Sequence, residues 1–166
     1  MQIFFLSEPI AIGLCFVVWG ILQTVAALVC FKIPDRFYDH RKFPFKSYGF
    51  EKNGESYEKW FRVHKWKKYL PDGSALMGGQ NKMKYLDHLR KTDLERFLKE
   101  SCRAEMIHIL GIPLFWVFGF FAPPRVIVYM LIYALAVNVP CMMAQRYNRP
   151  RVAALISKRY GKGSRI

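Results

Sequence analysis

Charge is missing from two long parts of this 166-residue chain. No Asp, Glu, Lys or Arg occurs from Pro9 to Phe31, and Arg125 is the only one between Glu105 and Arg146. Acidic side chains are scarce throughout, 12 against 26 Lys and Arg, which leaves a formal net charge of +14. Segregation of charge into residues 32–105 and 146–166 argues against an ordinary soluble domain and points to a membrane protein. No Lys or Arg precedes the first apolar run and no A-x-A site closes it, which disfavours a cleaved signal peptide. Val29 before Cys30 equally disfavours a lipoprotein cleavage site. Cys15, Cys30, Cys102 and Cys141 form no C-x-x-C pair, so they read as packing residues rather than a disulfide framework. Gly78-Gly79 lacks the spacing of a phosphate-binding loop, and no dinucleotide fingerprint is present.

What is present sets the topology. Pro9–Phe31, as a helix, is about 35 Å long, enough for a hydrocarbon core of about 30 Å. Met106–Ala122 and Val126–Ala144 are two further apolar blocks separated by Pro123-Pro124. Each is near the lower length limit for a span, and Pro113 is expected to kink the first of them. Asn138, in the last block, requires a polar partner or cavity. The expected fold is all-α integral membrane, with about three hydrophobic helices: one N-terminal span plus a C-terminal hairpin that crosses or re-enters. We read one membrane domain, 1–166, divided into a first span 9–31, a segment 32–105, a hairpin 106–144 and a tail 145–166. The middle segment carries 18 Lys or Arg against 11 Asp or Glu, and the tail carries basic residues with no acid. By the positive-inside rule both face the cytoplasm of a multi-pass cell-membrane protein, with the N-terminus outside. Anionic lipid explains the excess of positive charge without nucleic acid.

The middle segment interleaves aromatic and basic residues. Pro34, Pro44, Asn53-Gly54 and Pro71-Asp72-Gly73 mark turns. Between them Tyr57–Leu70 has helical spacing, with Trp60, Val63, Trp66 and Leu70 near one face and lysines around the rest, as in a helix lying in the membrane interface or packed on its own domain. A helix is expected from Thr92, with Thr92 as N-cap and Glu95 completing a capping box.

Glu105 and His108, spaced i, i+3, share one helical face, with Arg103 in the preceding turn. A histidine at neutral pH can accept a proton, and a carboxylate one turn away can orient its ring. The plain alternative is a helix-end histidine at the membrane boundary. Glu-x-x-His is also half of a di-iron carboxylate site, but no second copy exists and no metal is expected. His88 and Asp93 have the spacing of a glycerolipid acyltransferase motif, a match that chance alone supplies readily in a chain of this composition. Beyond the hairpin, QRYNRPR sets Arg146, Arg149 and Arg151 around Tyr147, Asn148 and Pro150. Guanidiniums in such a cluster suit phosphate or carboxylate, although a purely topological anchor would need only the charge.

The blocks IPDRFY, FKSYGFEKNG, YEKWFRVHKWKKYLPDG, RAEMIH and NVP followed by QRYNRPR resemble the bacterial glycosyl-4,4'-diaponeurosporenoate acyltransferases. These small membrane proteins complete a staphyloxanthin-type carotenoid by esterifying its glucose with a fatty acid. The resemblance covers most of Ile33–Arg151 and implies acyl transfer from a donor to a sugar hydroxyl of a lipid-like acceptor, beside membrane lipids and carotenoid-pathway enzymes. Asp72, Arg103, Glu105, His108, Asn138, Arg146, Asn148, Arg149 and Arg151 fall in the matching blocks. The resulting hypothesis makes His108 the base and Glu105 its orienter, with Asp72 as alternative base. Arg103, Asn138, Arg146, Asn148, Arg149 and Arg151 would bind substrate. No cofactor is needed, the acyl thioester being a co-substrate. Two other classes stay open: a non-catalytic lipid-binding or partner-recruiting membrane protein, and a small membrane methyltransferase or reductase.

Overall fold

A computed structural model describes residues 7–70 and 90–161. Asp72, Gly78-Gly79 and His88 lie outside the described residues. Among those described there is no strand, and three helices are long and apolar enough to cross a membrane.

Helix α1 runs Glu8–Lys32. Ala11, Cys15, Trp19, Ala26 and Cys30 are its buried residues, four or seven apart, so one narrow stripe of mostly small side chains packs inward. Ile10, Val17, Ile21, Val25 and Leu28 are exposed, as a lipid-facing surface requires. Among the described residues five short helical pieces precede the next long one: a 3-10 turn Asp35–Phe37, a 3-10 stretch Gly49–Gly54, helices α2 (Glu55–Phe61) and α3 (Val63–Trp66), and a 3-10 turn Lys67–Tyr69. The single helix expected over Tyr57–Leu70 is therefore broken. Arg62 adopts φ 49°, the left-handed region, and ends α2 with its own N–H bonded to the Glu58 carbonyl. The Trp66 indole then donates to the Phe61 carbonyl at 2.8 Å across the break.

Helix α4 spans Lys91–Gly111. Its start differs from the expected cap by two residues: the Asp93 carboxylate accepts the Arg90 backbone N–H at 3.3 Å, while Glu95 lies near Lys91 at 3.9 Å. Asp93 thus does the reaching back that the spacing assigned to Glu95. At Gly111 the helix changes to a 3-10 helix, Ile112–Phe120, where Pro113 cannot donate to the carbonyl four residues back. Helix α5, Pro124–Tyr160, follows after a turn at residues 121–123. At 37 residues it is about 55 Å long, and it carries QRYNRPR.

Contacts divide the chain into two compact units, Met1–Ile33 with Met106–Pro140 and Pro34–Glu105 with Cys141–Ile166. In the first, Trp19 of α1 stacks on Phe118 at 6.1 Å and meets Tyr133 edge-on at 5.5 Å, with Phe121, Met130 and Ala134 completing the core. In the second, Leu94 and Leu98 of α4 pack on Val152 of α5, flanked by Phe97 and Ile156.

Candidate functional site

Two polar clusters stand out, one in each unit. In the unit formed by Pro34–Glu105 and Cys141–Ile166, four charged side chains neutralise one another in the interior. Glu51 is 1% exposed and Glu105 fully buried. Arg146 donates from Nε to Glu105 Oε1 at 2.5 Å, from Nη1 to Glu51 Oε1 at 2.6 Å and from Nη2 to the Pro44 carbonyl at 2.8 Å. Arg149 donates from Nη2 to Glu105 Oε2 at 2.5 Å and to the Ser101 carbonyl at 3.2 Å, and from Nη1 to the Phe45 carbonyl at 2.8 Å. Its Nε reaches Ser101 Oγ, which in turn donates to Gln145 Oε1 at 2.9 Å. Two carboxylates against two guanidiniums, with the remaining donors on backbone oxygens, is how buried charge becomes tolerable.

Local sequence explains how these groups come into register. Arg146 and Arg149 are three apart on α5, so both present to α4, where Ser101 and Glu105 are four apart. The Pro44–Phe45 carbonyls come from a turn between the 3-10 pieces, and Glu51 is held by the Tyr48 N–H on Oε2 at 2.9 Å. Tyr57 donates its phenol to Glu51 Oε1 at 2.7 Å. Burial, then the Glu51 carboxylate, push that phenol well above its usual pKa.

Around this cluster lie the other residues of the matching blocks. Arg103 pairs with Asp35 and Glu100, each at 2.5 Å, under the Tyr38 ring. Asn148 Oδ1 accepts from Lys67 Nζ at 2.7 Å. Arg151 lies over the Tyr147 ring, 3.6 Å from its centroid, and donates to the Tyr147 carbonyl. Burial, then Arg151, lower the Lys67 pKa. A cavity of about 410 Å3 is lined by His40, Ser47, Asn53, Glu55, Arg149 and Arg151, among others. Burial, then Arg41, depress His40, with Asp39 opposing and Arg149 adding to the effect. Lys52 and Asn53, beside that cavity, both take left-handed backbone conformations, φ 45° and 55°.

In the other unit, His108 Nδ1 lies 2.9 Å from Asn138 Oδ1, and Gln23 Nε2 donates to the same oxygen at 3.1 Å. Asn138 is fully buried. An apolar cleft of about 510 Å3 opens between α1 and the start of α5, lined by Ile12, Cys15, Phe16, Arg125, Tyr129 and Tyr133, among others. Among the described residues no group of three His, Cys, Asp or Glu is placed to hold a metal ion.

The expected partnership of Glu105 with His108 takes a different form. Glu105 directs one oxygen to each of two guanidiniums, and His108 has Asn138 at Nδ1, the two belonging to different compact units although one turn apart on α4. Sequence reasoning passed over Glu51, Tyr57, Ser101 and Gln23. Glu51 had a signal available, since it stands inside FKSYGFEKNG. Gln23 had one too, as the sole amide side chain within a charge-free run.

A family model for glycosyl-4,4'-diaponeurosporenoate acyltransferase matches residues 34–158. Among known proteins, the glycosyl-4,4'-diaponeurosporenoate acyltransferase of Staphylococcus aureus strain Newman is 36% identical over 152 residues, covering 91% of this chain and 91% of the relative. That of strain MRSA252 is 37% identical over 151 residues, covering 89% and 90%. No solved structure matches the chain. The match takes in Glu51, Glu105, Arg146 and Arg149 of one polar cluster and His108 and Asn138 of the other, and the chain belongs to the glycosyl-4,4'-diaponeurosporenoate acyltransferase family.

Proposed function

We propose that this membrane protein transfers a fatty acyl group from a thioester to a sugar hydroxyl of a glycosylated carotenoid or a related glycolipid. The observation that carries the reading is the family membership over residues 34–158, joined to an ionisable side chain, His108, set among apolar helices. His108 takes the proton of a primary sugar hydroxyl, the oxygen adds to the thioester carbonyl carbon, and the thiolate leaves with that proton. The apolar cleft beside α1 has the lining that an acyl or polyene chain needs. The cavity holding His40, Ser47, Asn53 and Arg151 has the basic lining that a phosphate-bearing donor needs. Arg146 and Arg149 already direct their donors to Glu51, Glu105 and backbone carbonyls, so they act by holding that wall in place, while Arg151 meets the donor.

The excess of basic side chains in residues 32–105 and in the C-terminal segment supports a cytoplasmic position for both, with the N-terminus outside. Phe43, Phe50, Trp60, Phe61 and Tyr69 are exposed beside lysines, which suits a segment resting at headgroup depth. Purified protein in lipid vesicles, given radiolabelled acyl thioester and glycosylated carotenoid, should form a labelled ester that His108→Ala abolishes. Full transfer by that variant would reject His108 as the base. Cysteine labelling from either side of the membrane reads the orientation, and an externally labelled C-terminus would reverse it.

A further inference from the structure

We propose that Asn138 is the positioning residue for His108, fixing its ring with the proton on Nδ1 so that Nε2 is the basic nitrogen. Gln23 braces the pair and offers its second amide atom to an incoming hydroxyl. What the base does rests on the acyl-transfer reading above; the tautomer rests on hydrogen bonding alone.

The argument starts at a backbone carbonyl. Asn138 meets the Ala134 oxygen at 2.8 Å, and a carbonyl can only accept, so the side-chain atom facing it is the NH2 group. The other amide atom, Oδ1, then faces His108 Nδ1 at 2.9 Å. An amide oxygen has no proton to give, so Nδ1 carries it, and in the neutral ring Nε2 carries none. The amide orientation of Asn138, and with it the proton on Nδ1, follows here from one carbonyl.

Gln23 obeys the same logic. Its Nε2 donates to Asn138 Oδ1 at 3.1 Å, because the reverse orientation would set two oxygens against each other. Gln23 Oε1 is left buried, and no donor meets it among the described residues. An O–H can engage this acceptor without breaking a bond already made. Leaving it unmet costs the desolvation of a buried acceptor, which a hydroxyl would recover on binding.

Sequence keeps space for the arrangement. A Cβ on Gly111, one turn beyond His108, would lie 2.7 Å from both amide atoms of Gln23 and 3.0 Å from Asn138 Oδ1. The helices on either side keep their charges about two turns or more away from Gln23 and Asn138. From Pro9 to Phe31 α1 has none, and this unit's one carboxylate residue, Glu8, precedes Gln23 by about 22 Å of helix. Arg125 on α5 precedes Asn138 by about 20 Å of helix. Ile112–Phe120 carries no charge; Lys32 ends α1 about 14 Å of helix beyond Gln23, and Arg146, about 12 Å of helix beyond Asn138, is paired with Glu51 and Glu105, which leaves Cys15, Cys30, Cys141, Tyr129, Tyr133 and the ring itself as the other titratable groups of this stretch. Glu105, one turn earlier on α4, has a guanidinium on each oxygen. A neutral amide therefore orients this histidine without adding a net charge to the apolar interior, as an asparagine does behind the histidine of papain-like proteases.

The test reads the ring nitrogens directly. In 15N-histidine-labelled full-length protein in lipid bilayers, the His108 signals are those lost in His108→Gln. Nδ1 should show a protonated-type shift and Nε2 an unprotonated-type shift. Asn138→Leu should move the proton toward Nε2 and lower kcat by at least about 10²-fold with KM little changed, whereas Asn138→Asp, which keeps an acceptor, should retain the Nδ1 proton and most of kcat. A proton on Nε2 in the unsubstituted protein overturns the proposal, as does an Asn138→Leu protein that keeps both tautomer and kcat. Full activity in His108→Gln with the expected tautomer would instead reject the base assignment alone, so the two failures are told apart.

Discussion

Glu105 and Arg149, 44 positions apart in the chain, meet at 2.5 Å between Oε2 and Nη2 with both side chains buried. Arg146 takes the other oxygen of Glu105 at the same distance, and Glu51 supplies the second negative charge. The guanidiniums of QRYNRPR thereby tie α5 to α4 and to the loop around Pro44.

Removing the shared countercharge should be costly. Glu105→Gln leaves two buried guanidiniums facing a neutral amide and should destabilise the protein by about 3–5 kcal/mol. Thermal unfolding in mild detergent measures this, and an unchanged midpoint would contradict the network.

Arginine and lysine should not be equivalent at position 149. Arg149 serves Phe45, Ser101 and Glu105 in different directions from a rigid fork, which an ammonium cannot reproduce. Arg149→Lys should lower the melting midpoint markedly. Combined with Glu105→Gln it should cost less than the two separate losses together, since both remove the same pair.

At position 151 the expected effect is on binding. Arg151 is exposed, so Arg151→Ala should change stability by no more than about 1 kcal/mol. Its KM for the acyl thioester should rise several-fold while kcat holds. A KM equal to that of the unsubstituted protein would remove the cavity from donor binding.

Gly54 is fixed by two constraints at once. Its φ is +91°, and a Cβ there would lie 3.0 Å from Arg151 Nη1 and 3.1 Å from the Tyr147 carbonyl of α5. Gly54→Ala should therefore cost about 1–3 kcal/mol, from backbone strain and the close approach of helix backbone. Unfolding in detergent reads the loss; a neutral result would show that this turn can reshape.

His40 predicts a pH dependence. Its folded pKa lies below the ordinary 6.5, mainly through burial, so the unfolded chain binds more protons as the solution is acidified. Its contribution to stability is present above pH 6.5 and is lost as pH falls through the lowered folded value. Melting midpoints compared between pH 7.5 and 5.5 should fall less in His40→Gln than in the unsubstituted protein. Equal falls would assign the acid sensitivity to other groups.

Much of this was legible along the chain. Charge-free runs gave the three long apolar helices, and Asn138 within one of them required a polar partner, which it has in His108 and Gln23. The break at Arg62 was not legible, because lysines and aromatics at helical spacing fit one helix or two equally well. Nor did the i, i+3 spacing of Glu105 and His108 say which neighbours each would take, since side chains on α5 present at the same level of α4.

The three long apolar helices followed from sequence because a segment in hydrocarbon must satisfy its own backbone hydrogen bonds, a condition that depends on length and composition alone. Family membership was likewise carried by short blocks in order. Pairing was decided only in three dimensions: Glu51 reaches Arg146 across 95 positions and Gln23 reaches Asn138 across 115. Every arginine had several carboxylates of matching charge available along the chain. Which one it meets depends on burial and on hydrogen-bond direction, and both exist only once the helices have packed.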